Sequence, residues 1–134
     1  MLGLYSQHAS DYLFYLMIIT TSFFALPIFV APLMWARLML WRIPDDLDLA
    51  VYFGRCLGAF ILVVEILMLR GVTTGTGLSY AFDVLFCVYG FMLVVHIYGA
   101  FRRIQPITET LEIGLWALLL VLNTLFYPAA SITL

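Results

Sequence analysis

Arg55 and Glu65 stand inside the apolar stretch VYFGRCLGAFILVVEILMLRG, residues 51–71, and Asp83 stands inside LSYAFDVLFCVYG, residues 78–90. A charged group in hydrocarbon costs at least ~2.5 to 3.5 kcal/mol near the centre of a bilayer, so such groups turn toward protein or water and mark candidate sites. Two carboxylates without a neutralising base bind protons or cations. At ~100° per residue, Gly54, Gly58 and Glu65 share one helix face within about 40°, while Arg55 points roughly 80° away. Gly54 and Gly58 form a G-x-x-x-G step, the spacing that lets helix backbones touch. Asp83 aligns with Ser79, Cys87 and Gly90 on the next apolar run. The expectation is that the second and third helices pack through these small residues and bring Glu65 and Asp83 together at one depth, an intramembrane polar site completed by Arg55. Paired with Asp48, Glu109 or Glu112, Arg55 fixes helix register instead.

His96, in VVHIYGA, lies on the face opposite Asp83 with small residues beside it. A histidine flanked by glycine and alanine leaves room for a haem or chlorin macrocycle and is the candidate ligand for one; the competing role is a hydrogen-bonded structural imidazole. The cofactor is otherwise unassigned. Asn123 and Thr124 are read as interhelical hydrogen-bonding residues. No C-x-x-C, G-x-S-x-G or phosphate-cradling glycine loop is present, and along the chain no histidine, cysteine and carboxylate cluster has metal-ligand spacing. Cys56 and Cys87 read as small apolar residues. No catalytic residue is assigned, and the chain is read as a non-enzyme.

The elements that carry these residues follow from composition. Of 134 residues, 65% are hydrophobic and 10% charged, and the mean hydropathy is +1.09, whereas soluble domains are about a quarter charged. Such a surplus of apolar surface calls for lipid. The basic residues are six arginines and the net charge is −2, which gives nucleic acid nothing to recognise. Four runs of about 20 residues can cross a ~30 Å hydrocarbon layer: about 12–35, 47–69, 78–101 and 111–127. The connections are short, so the expected fold is an all-α polytopic membrane protein, one domain over 1–134, with four antiparallel transmembrane helices in a compact bundle. Arg37, Arg42, Arg102 and Arg103 flank the first and third connections, whereas the second has only Arg70, so the positive-inside rule places both termini on the non-cytoplasmic side, as in a bacterial inner membrane protein. Pro27 and Pro32 predict a bend in the first span and free the carbonyls of Phe23 and Ile28.

Helix-contact residues outnumber chemical ones. The first functional expectation is therefore a non-catalytic integral membrane subunit, associated with the bilayer and with other membrane subunits or copies of itself. The second is a small transporter or channel for protons, cations or a small molecule that uses the intramembrane carboxylates. A pigment- or haem-binding subunit, through His96, is the third.

Overall fold

The structure, a computed structural model, describes residues 2–128, which contain helices and no strand among them. Four helical segments are long and apolar enough to cross a membrane: Ser6–Val30, Asp48–Thr74, Leu78–Arg102 and Ile107–Phe126.

The first segment is composite. After a short helical turn at Ser6–His8, α1 runs Ala9–Thr20, a π-helical turn occupies Thr21–Ala25, and α2 runs Leu26–Val30. Ala31 leaves helical geometry at φ −138°, ψ 62°, and α3 resumes at Pro32–Leu38. The two prolines account for the interruptions. Pro27 cannot donate to Phe23, and the freed Phe23 carbonyl accepts instead from Trp35 Nε1 at 3.0 Å,. Pro32 begins α3, where a missing N–H costs nothing.

α4 is one unbroken helix, Asp48–Thr74, with Asp48 in its first turn where the helix dipole favours a carboxylate,. It ends at Gly75, φ 70°, and Gly77, φ 79°, opens α5, Leu78–Arg102. Both are left-handed positions that glycine fills without strain. Pro106 precedes α6, Ile107–Phe126. Phe82 pairs with Asn123 near one end of the α5–α6 hairpin and His96 with Glu109 near the other, so the two helices run antiparallel.

The expected packing of the glycine face is corrected. Gly54 and Gly58 meet the first segment, not α5: a Cβ on Gly54 would stand 2.5 Å from Pro32 Cβ, and one on Gly58 2.5 Å from the Phe29 backbone nitrogen. α4 therefore lies directly on α2 and the Ala31 break. A Cβ on Gly90 would meet nothing within 4 Å.

The core gathers Leu13 and Leu16 from α1, Met68 from α4, and Phe82, Leu85 and Tyr89 from α5. Asn123, fully buried, donates from Nδ2 to the Phe82 carbonyl at 3.0 Å. Its expected companion Thr124 instead bonds back to Leu120 within α6. Gly3 and Tyr5 donate their backbone N–H groups to the carbonyls of Thr124 and Leu125, which satisfies acceptors that the end of α6 leaves open. Outside this core, large apolar residues face outward on each long segment, among them Phe23, Phe60, Phe91 and Leu111.

Candidate functional site

The antiparallel pairing of α4 with the first segment sets Glu65 opposite Thr20. Glu65 is 7% exposed. Its Oε1 lies 2.5 Å from the Thr20 hydroxyl, while Oε2 is buried without a hydrogen-bond partner among the described residues. Burying a carboxylate oxygen that nothing satisfies is costly, and natural structures keep such groups for a reason.

A second polar cluster forms across the α5–α6 hairpin. Glu109 and Glu112 are three residues apart, which places them on one face of α6, and that face meets His96 of α5. His96 Nε2 lies 3.0 Å from Glu109 Oε2 and 3.4 Å from Glu112 Oε2. On the other side of the ring, Nδ1 is 2.7 Å from the Met92 carbonyl oxygen. A carbonyl only accepts, so Nδ1 carries a proton, and Nε2 is the ring nitrogen turned to the two carboxylates. Trp116 Nε1 lies 3.4 Å from that Nε2. Trp41 Nε1 donates to the other oxygen of Glu109 at 2.7 Å, and Gln105 ties the hairpin by donating to the His96 carbonyl at 3.0 Å. All three ionisable residues are buried.

Both clusters line one cavity of about 400 Å³ between the helices. Between them the wall is apolar, with Leu16, Met68, Leu85, Val88 and Trp116 among the lining residues. Counting ~1.5 Å per residue from the α4–α5 turn, Glu65 and His96 differ in depth by roughly 14 Å. Among the described residues no arginine or lysine lines the cavity, which has Glu65 toward one end and Glu109, Glu112 and His96 at the other. A space of this size and lining suits a small organic molecule that is mainly apolar and carries a positive or hydrogen-donating group.

The remaining residues singled out in the sequence lie elsewhere. Asp83 is exposed and accepts from the Tyr127 hydroxyl at 2.9 Å, so the structure does not bring it to Glu65. Arg55 is exposed and borders a separate open groove with Asp48, Tyr52 and Cys56. Glu109 and Glu112 engage His96 rather than Arg55. His96 Nε2, the nitrogen free of the Met92 carbonyl and thus the one to ligate a macrocycle's metal, is turned to these carboxylates, and the His96 and Trp116 ring centroids are 5.7 Å apart.

Sequence reasoning missed the convergence of His96, Glu109 and Glu112. A signal existed: the two glutamates share a helix face, and His96 precedes the RRIQP turn by about as many residues as they follow it.

The fold and site define an all-helical protein with four potential membrane spans around a cavity bearing acidic groups. Compared with known protein families, curated proteins and solved structures, the chain matches none.

Proposed function

We propose that this chain is an integral membrane transporter for lipophilic organic cations, with its four long helices crossing the bilayer and its cargo held between them. The single observation that carries this reading is Glu65 Oε2, buried with no hydrogen-bond partner among the described residues, in an apolar cavity that no described arginine or lysine lines. A buried carboxylate oxygen of that kind is stabilised by a cation that brings its own apolar body, since the body removes water from the walls while the charge neutralises the acid. The arginine distribution supports an orientation with the His96 end toward the cytoplasm and the Gly75–Gly77 turn outside. The outward phenylalanines and leucines support lipid exposure of the remaining surface,.

The expectation of an accessory subunit rested on abundant helix-contact residues. Gly54 and Gly58 are engaged within the chain itself, which leaves that expectation with less to stand on than the cavity.

The test is uptake of radiolabelled tetraphenylphosphonium into proteoliposomes, with empty liposomes subtracted, beside binding to the protein in nanodiscs. Wild type takes up the cation in a saturable way, and Glu65→Gln weakens binding by about tenfold or more. Equal uptake by wild type and Glu65→Gln would sink the proposal, as would failure of the wild type to bind.

A further inference from the structure

His96, Glu109 and Glu112 form one end of the cavity. We infer that it is a binding site for one divalent transition-metal ion, with His96 Nε2 and one oxygen from each glutamate as ligands.

Three observations converge. The donor atoms lie within 4.8 Å of one another, and the imidazole nitrogen is 3.0 and 3.4 Å from the two carboxylate oxygens. An ion about 2.1 Å from each donor spaces its ligands ~3.0 Å apart at right angles and ~3.4 Å at tetrahedral angles. The backbone and indole contacts are those of an outer coordination shell: Nδ1–H is held by the Met92 carbonyl, which turns Nε2 toward the glutamates, and Glu109 is oriented by the Trp41 indole,. Finally, the charge is unbalanced. Two carboxylates are buried around a single imidazole, and among the described residues no arginine or lysine lines the cavity. A divalent cation neutralises both carboxylates at once, whereas a single shared proton leaves one negative charge in the apolar interior.

The donor set selects the ion class. One imidazole with two carboxylates, and no thiolate, suits zinc, manganese or ferrous iron. Three protein ligands leave the coordination sphere open toward the cavity, the pattern of a site that meets water or a ligand rather than a closed structural one. This inference stands apart from the cation-transport reading, because Glu65 belongs to the other end of the cavity.

Untagged protein in nanodiscs, stripped with chelator and titrated with cobalt(II), should bind one ion per chain with visible ligand-field absorption. His96→Gln and Glu112→Gln should each weaken binding by about tenfold or more. His8→Ala, at the exposed His8–Asp11 pair, and Glu65→Gln should leave it unchanged. X-ray absorption of zinc-loaded wild type needs no variant and should show a nitrogen and oxygen shell with a single imidazole. The inference is overturned if wild type fails to bind cobalt(II) saturably, if both cluster variants bind normally, if His8→Ala abolishes binding, or if the zinc shell contains sulfur. Loss of cation uptake in Glu65→Gln with cobalt binding intact separates the two proposals.

Discussion

At the scale of single residues, the glycines illustrate how much a side chain's meaning depends on what arrives beside it. Gly58 holds the Phe29 backbone so closely that a methyl group would force the helices apart. Gly58→Ala should therefore destabilise the protein by about 1–3 kcal/mol, read as a lower midpoint in detergent-induced unfolding. Gly90→Ala, with open space around it, should leave that midpoint unchanged or raise it, since alanine is the better helix former. Asp83 and Tyr127 offer a pH test. Donating to the Asp83 carboxylate holds the Tyr127 phenol above its ordinary value of 10.0. The folded pKa is raised, so this contact's contribution is complete below the ordinary value and is lost as pH rises through the raised one. In Asp83→Asn the Tyr127 resonance should titrate at lower pH in carbon-13 tyrosine spectra; an unmoved titration would show that the contact is absent in solution.

At the scale of elements, hydrophobic run length made the four long segments legible, and three of them begin or end close to the expected limits. The second, expected at about 47–69, runs Asp48–Thr74, and the third, expected at about 78–101, runs Leu78–Arg102. The fourth starts earlier than its apolar run, at Ile107, because Thr108, Glu109 and Glu112 are polar yet turn inward. Proline positions announced the bend in the first segment, and the freed Phe23 carbonyl was legible with it. Its rescue by Trp35 was not, since that contact crosses the Ala31 break. Trp35→Phe should leave this carbonyl without its indole donor and cost about 1 kcal/mol, measured by thermal unfolding in nanodiscs against wild type.

The site was less legible for a related physical reason. Periodicity tells which residues share a face, but not which neighbouring helix that face will meet. Gly54, Gly58 and Glu65 do share a face, and α4 turns it toward the first segment instead of α5. Asp83 is consequently left at the exterior beside Tyr127, and the cavity draws its second acidic group from α6.

For the whole molecule, the balance of apolar surface is decisive. Phe60, Phe91 and Phe101 are each more than 70% exposed, on faces that water would not tolerate together. The protein should remain in the pellet when membranes are washed with alkaline carbonate and should enter solution only with detergent; release by carbonate would contradict insertion. Filling of the cavity should also be visible globally. A bound cation at a concentration 100 times its dissociation constant should raise unfolding free energy by about 2.7 kcal/mol, and a tenfold loss of affinity in Glu65→Gln should cut that increment to about 1.4 kcal/mol or less at the same concentration.

The π-helical turn at Thr21–Ala25, where Leu26 bonds back to Thr21, sets the phase between the two halves of the first segment. It holds one residue more than an α-helical turn of the same hydrogen-bond count. Wound as a regular α-helix, the same residues would leave everything downstream about 100° out of its present phase. Phe29 and Pro32 would leave the glycine groove while Thr20 kept its place opposite Glu65. This surplus residue is thus the joint by which acid-holding and backbone-docking surfaces, out of step on a regular helix, are both aimed at the same neighbour.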